Sequence, residues 1–178
     1  MDIHFHPLFS LDERAHLYFS IIGRALYTAQ HLEMNCRAIV GFIHMRLSVT
    51  RSGPDVLDNP EFLGQIEHIW KQTLGRHVNI LKDYGFFDED FRRLLGEAVD
   101  ARNEIAHFIT IGIDEHTDFG SINIFDDIKP LIRKIATADK FMSGLLHFLN
   151  KDPLPTPDLF ISYENQVIDW VLAPASFH

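Results

Sequence analysis

The residues with the clearest chemical potential lie within one short segment, from Arg102 to His107. Asn103 and His107 are four residues apart, so they share one face if the segment is helical, and the long side chain of Arg102 reaches the same region. A guanidinium is a permanent cation, whereas an imidazole exchanges a proton near neutral pH. The segment therefore brings a fixed cation, a hydrogen-bonding amide and a titratable base within reach of one ligand.

These three groups match what the cleavage of an RNA phosphodiester requires. The imidazole of His107 can accept the proton of a 2′-hydroxyl or donate one to the leaving oxygen, and such general acid–base help contributes roughly 10²–10⁴ in rate. Arg102 can stabilise the negative charge that develops on the phosphate oxygens. Asn103 can orient the imidazole or a phosphate oxygen. This chemistry needs neither a metal ion nor another cofactor, and we predict none.

Arg102 is also notable for its position on a predicted apolar stripe. It lies between Ala98 and Ile105, which recur at the spacing of a buried helix face. An unpaired guanidinium is costly to bury. We therefore expect Arg102 to meet a carboxylate, a helix end, a second subunit or an anionic ligand.

Three polar residues on the first predicted helix, His31, Glu33 and Asn35, lie close together in sequence. Glu33 is the strongest candidate for support of the motif, because an inward carboxylate there could orient Arg102 or His107. Two other interpretations remain open for Glu33. It is either a solvent-exposed helix residue, or a purely structural partner of Arg102, in which case His107 is a core histidine without a chemical role.

The predicted elements that position these residues are four long helices. Apolar residues recur at three- and four-residue steps over 11–49, 60–84, 88–109 and 126–150. Asn59 followed by Pro60 favours the start of the second helix, and Gly85 favours its end. Because the connections are short or moderate, an antiparallel, up-and-down four-helix bundle is the most economical all-α fold.

The chain is predicted to consist of a helical bundle over 1–150 and a C-terminal extension over 151–178. Residues 112–121 form a polar turn in this prediction. The proline-rich run 152–157 then breaks the fourth helix. The residues beyond this run are expected to form a short docked segment, because they are too few to bury a core of their own.

The composition narrows the class of protein. A length of 178 residues with 46% hydrophobic content fits one domain with a sizeable core. Cys36 is the single cysteine, so no internal disulfide can form, which suits a reducing compartment. We recognise neither a signal-peptide pattern nor an apolar run of about 18–20 residues, and therefore predict a cytoplasmic protein that does not associate with membranes.

The net charge of the chain limits its partners. The formal charge is −9 at pH 7 and the sequence pI is about 5.6. Proteins that hold nucleic acid mainly through its phosphates usually have a basic face and a high pI. We therefore predict no strong, sequence-independent binding to a nucleic-acid duplex, whereas a local basic cleft or a transient RNA substrate is compatible with this charge.

The segment from Arg102 to His107 resembles the R-x4-6-H motif of HEPN domains, including the polar residue directly after the arginine. The long first helix, with its run over 23–33, is similar to the opening helix of uncharacterised bacterial HEPN-like proteins. The resemblance extends over about residues 10–150. It implies a HEPN-like helical bundle that forms a homodimer, in which two such motifs face each other across one cleft.

The resemblance implies two alternative functions. Many HEPN proteins are metal-independent endoribonucleases of toxin–antitoxin or phage-defence systems. This function would give catalytic roles to Arg102, Asn103 and His107. The substrate would then be RNA, and a cognate antitoxin protein would be a candidate partner. Others are non-catalytic dimeric modules that bind RNA, a nucleotide or a protein.

Some HEPN toxins carry a tyrosine two residues after the histidine, which a partner nucleotidyltransferase modifies. Ile109 stands there in this chain, so silencing by that route is not implied. A helical bundle unrelated to HEPN domains is the third interpretation.

Overall fold

A computed structural model of the chain describes residues 13–85, 87–110 and 124–173, and all structural statements refer to these residues. Within them the chain forms α-helices and one 3₁₀ helix, over Pro54–Asp58, and no strand. The α-helices are α1 (Glu13–Ser52), α2 (Pro60–Trp70), α3 (Leu74–Asp83), α4 (Glu89–Thr110), α5 (Ile124–Asn150) and α6 (Pro157–Leu172). The all-α class predicted from the hydrophobic periodicity is confirmed.

The core lies where α4, α5 and α6 pack against the long helix α1. α1 also contacts α2 and α3, so each of the other α-helices described touches it. Burial of the large aliphatic side chains in this core supplies most of the driving force for folding. The largest fully buried ones include Ile21, Leu32 and Ile39 of α1, Leu95 and Ile105 of α4, and Ile132 and Ile135 of α5.

Helices α4 and α5 occupy the ranges predicted for the third and fourth helices to within two residues. At the start of α4, the carboxylate of Asp88 accepts a hydrogen bond of 2.8 Å from the backbone N–H of Phe91. This is the bond by which an aspartate caps a helix N-terminus. The cap therefore fixes where the helix with the predicted motif begins.

The second predicted helix is wrong in its extent, because 60–84 is divided into α2 and α3. The backbone N–H groups of Lys71 and Gln72 turn back to the carbonyls of His68 and Ile69, which ends α2. The fully buried His77 of α3 then donates a hydrogen bond of 2.8 Å from Nε2 to the same Ile69 carbonyl. A side chain from beyond the break thus satisfies a carbonyl that a continuous helix would have used itself.

The segment after Pro153, expected to be short and docked, contains α6. Its Ile168 and Val171 are buried in the same core as the other helices. Arg24 of α1 donates a hydrogen bond to the carbonyl of Ala173, just beyond the end of α6. The turn predicted over 112–121 lies outside the described residues. No helix in the described ranges has the length and apolar character needed to cross a membrane.

Candidate functional site

The predicted motif lies on α4 at the edge of its buried face. Arg102 is half-buried, and Asn103 and His107 are exposed. Arg102 therefore does not lie within the buried stripe, as the sequence suggested, but beside it. The interior positions of the helix are taken by small or aliphatic side chains at the required spacing, and these are Ala98, Ala101 and Ile105.

Arg102 and Asn103 are in direct contact. The guanidinium donates a hydrogen bond of 3.2 Å from Nη1 to Oδ1 of Asn103. Because Asn103 and His107 are four residues apart on one helix, their side chains lie on neighbouring turns of the same face. The three motif groups are thus displayed together on one accessible side of α4, and their catalytic roles stay a prediction.

Glu33 does not make the contact with Arg102 that was considered for it. Its Oε1 accepts a hydrogen bond of 2.9 Å from Nη2 of Arg37, one turn along α1. Ion pairs at this spacing are common on helix surfaces and contribute only a few tenths of a kcal/mol. The carboxylate is therefore engaged on its own helix, and the purely structural pair between Glu33 and Arg102 is not formed.

A second polar group of residues, which was not predicted from the sequence, is centred on Asp139 of α5. The side chain of Asp139 is 0% exposed. Its carboxylate lies 2.9 Å from Nδ1 of His31 and accepts a hydrogen bond of 2.9 Å from Nδ2 of Asn35 and a further one from the Tyr163 hydroxyl. Asn35 also donates a hydrogen bond of 2.8 Å to Oγ of Ser143. We call these five residues the Asp139 cluster; it joins α1, α5 and α6.

The Asp139 carboxylate determines the protonation of the two titratable side chains that hydrogen-bond to it, His31 and Tyr163. A carboxylate only accepts hydrogen bonds, so Nδ1 of His31 must carry a proton. The hydrogen bond to Asp139 raises the pKa of His31 above its ordinary value, against an opposing effect of burial. Burial, and next the charge of Asp139, raise the pKa of Tyr163, so its hydroxyl remains a donor. The buried carboxylate therefore faces a protonated Nδ1 of His31, and Nε2 lies on the opposite side of the ring.

The raised pKa of His31 predicts that part of the folding stability depends on pH. A group whose pKa is higher in the folded state contributes stability below its unfolded pKa of about 6.5, and loses it as pH rises through the folded pKa. Glutamine at position 31 can donate to Asp139 but cannot titrate. We expect the stability advantage of wild type over His31→Gln, measured by urea unfolding, to shrink from pH 6 to pH 9.

The size of this effect is limited by solvent, because the His31 side chain is 47% exposed. The matched comparison is His68→Gln, which makes the same substitution at an exposed residue of α2, away from the Asp139 cluster. Parallel stability curves for wild type and His31→Gln across this pH range would contradict the charged pair.

A sequence signal for Asp139 existed. The aspartate lies four residues after Ile135 and three before Met142, so it falls on the apolar stripe of α5. A charge on an apolar stripe must have partners, and this applies to Asp139 more than to Arg102. His31 and Asn35 are neighbours of Glu33 in sequence, but Glu33, the candidate that the sequence pattern favours, is the member that does not contact Asp139.

No protein-family model matches this sequence, and no similar protein was found among curated proteins or solved structures. Within the described part of the chain, no three histidine, cysteine, aspartate or glutamate side chains are grouped closely enough to hold a metal ion. The function is therefore inferred from the residues of this chain and their geometry.

Proposed function

We propose that this protein is a homodimeric, metal-independent endoribonuclease of the HEPN type, which acts in the cytoplasm as a toxin or phage-defence effector. The observation that carries the proposal is the display of Arg102, Asn103 and His107 on one accessible side of α4, with Arg102 and Asn103 in contact. A substrate phosphate can approach such a surface without any rearrangement of the core. In this proposal the four helices of a HEPN-like bundle are α1, the α2–α3 pair, α4 and α5. Helix α6 is an extension of that bundle.

Each motif residue has a defined role in the proposed reaction. His107 accepts the proton of the 2′-hydroxyl or delivers one to the leaving 5′-oxygen. Arg102 stabilises the charge on the non-bridging phosphate oxygens through charge-assisted hydrogen bonds. Asn103 holds the guanidinium in place through the 3.2 Å hydrogen bond. Two motifs facing each other across a dimer cleft would supply the two proton-transfer groups that the reaction uses.

The proposal predicts a symmetric dimer whose interface includes α4. Arg102 is only half-buried within one chain, and a second subunit would complete its surroundings. Sedimentation at micromolar concentration should give the mass of two chains, and Arg102→Ala should weaken the association. The matched control is Arg93→Ala, which removes an exposed arginine of the same helix. A monomer at these concentrations would contradict this arrangement.

The reaction itself is tested with purified dimer and single-stranded RNA in the presence of EDTA. We expect cleavage to persist, because no step uses a metal ion, and to leave a 2′,3′-cyclic phosphate or its hydrolysis product. Mass spectrometry of the fragments distinguishes these ends from the 3′-hydroxyl ends that many metal-dependent nucleases leave. Products with 3′-hydroxyl ends would contradict the proposed mechanism.

The second candidate function is a non-catalytic dimeric module that binds RNA, a nucleotide or a protein. The observation that favours it is the net charge of −9, since an acidic chain attracts polyanionic RNA weakly. Such a module would use Arg102 to hold a single phosphate or carboxylate. Saturable binding of RNA with no cleavage over many hours would favour this candidate over the nuclease.

A further inference from the structure

A small pocket of about 210 Å³ lies beside the Asp139 cluster, on α1, α5, α6 and the segment that leads into α6. None of the motif residues on α4 borders it. Its wall has a polar side, formed by His31, Lys140, Ser143 and His147, and an apolar side that includes Leu159 and Phe160. Pockets that combine apolar walls with a few convergent polar groups are the usual form of small-molecule sites.

The polar side of this pocket offers hydrogen-bonding groups that the described part of the chain does not use. Asp139 holds His31 through Nδ1, which leaves Nε2 for another partner. Ser143 accepts a hydrogen bond from Asn35 and so keeps its own proton to donate. Two side chains on this wall thus keep hydrogen-bonding capacity for a ligand.

Lys140 adds a positive charge to the same wall. Its ammonium group is held 2.5 Å from Oε1 of Glu164 and lies 4.9 Å from the ring centroid of Phe160. The lysine side chain is only 13% exposed, so its position is fixed by these contacts. Glu164 accepts only one of the three N–H groups of the ammonium, so the others can donate to a further acceptor, and charge-assisted hydrogen bonds favour an anionic one.

We propose that this pocket binds a small ligand with one oxyanion group, a carboxylate or a phosphate, on an apolar body the size of one ring. His31, Lys140 and Ser143 donate to the oxyanion. Leu159 and Phe160 pack on the apolar body. A cavity of about 150 Å³ is enough for benzene, so 210 Å³ accommodates a ring with one such group.

A purely structural role for the Asp139 cluster explains only half of these observations. Stabilising the contacts between α1, α5 and α6 requires the Nδ1 side of His31, together with Asn35 and Tyr163. It does not require the unused hydrogen-bonding groups of His31 and Ser143 to lie on the wall of the same pocket as Lys140. The proposed site also shares no residue with the motif on α4, so failure of the nuclease proposal would leave it standing.

The test uses the full chain and three probes: phenyl phosphate, benzoate and the neutral benzyl alcohol. Calorimetric titration should detect binding of at least one of the two anions, and comparison of the two shows which oxyanion the site prefers. Benzyl alcohol should bind at least tenfold more weakly than the better anion. Equal binding of all three, or of none, would overturn the proposal.

Four variants locate the binding. Lys140→Met and His31→Gln should each weaken binding of the better anion at least tenfold, whereas Lys134→Met and His68→Gln, which change exposed residues elsewhere, should not. A fifth, Leu159→Trp, fills the apolar side while leaving the polar groups in place, and should abolish binding. Because position 159 is about half-exposed, Leu159→Trp should leave the fold intact, so it tests the location of the site even if a polar variant misfolds. Unchanged binding by Leu159→Trp, with the fold intact, would overturn the proposed location.

Discussion

Substitution of His107 by alanine is expected to abolish RNA cleavage and to relieve toxicity when the protein is produced in a bacterial host. In the proposed mechanism the imidazole supplies the proton transfer, and loss of such a group lowers the rate by roughly 10²–10⁴. The side chain is exposed on α4, so its removal leaves no cavity in the core and the fold should be retained. Single-turnover cleavage of a labelled RNA measures the effect, and growth after induction reports it in cells.

The matched control for this prediction is His68→Ala, which removes an exposed histidine near the end of α2. It should cleave RNA at the wild-type rate and remain toxic. Thermal unfolding of both variants shows that the fold is retained. Equal growth of cells that express wild type and His107→Ala, together with no cleavage by the purified wild-type dimer, would reject the nuclease and favour the binding module.

The helices that could be predicted from the sequence are those whose ends are marked by local chemistry. α4 begins after the capping carboxylate of Asp88, and α5 ends just before the proline-rich run. In both cases the signal lies within a few residues of the end. Propensity and periodicity report such local effects directly.

The break between α2 and α3 could not be predicted in this way. Apolar residues continue at helical spacing across it, since Ile69 before the break and Leu74 after it both face the core. The bond that stabilises the break joins the His77 ring to the carbonyl of Ile69. That contact depends on how α3 turns relative to α2, which the spacing of apolar residues does not encode.

The two candidate sites also differ in whether their residues are close together in the sequence. The motif on α4 is contiguous in sequence, so pattern and resemblance both led to it. The Asp139 cluster is assembled from three helices, and its members are separated by more than 100 residues between α1 and α5. The sequence shows that Asp139 needs partners, but only the packing of α1, α5 and α6 identifies them.

The largest effect on stability is expected from Asp139→Ala. Removing one member of a buried charged network typically costs about 3–5 kcal/mol, because its partners remain buried without compensation. Here Asn35 and Tyr163 would lose an acceptor, whereas the half-exposed His31 can turn to water, so we expect a loss near the lower end of that range. Chemical denaturation of wild type and variant at pH 7 measures it.

The matched control is Asp100→Ala, which removes an exposed aspartate from the middle of α4 and should change the free energy of unfolding by less than about 0.5 kcal/mol. Tyr163→Phe supplies an independent test of the network, since residues in one hydrogen-bonded network show coupling energies of about 0.5–3 kcal/mol. Once Asp139 is absent, the Tyr163 hydroxyl has no acceptor there, so its removal should cost less than in the wild type. Strictly additive effects of the two substitutions would mean that the hydroxyl and the carboxylate do not interact in solution.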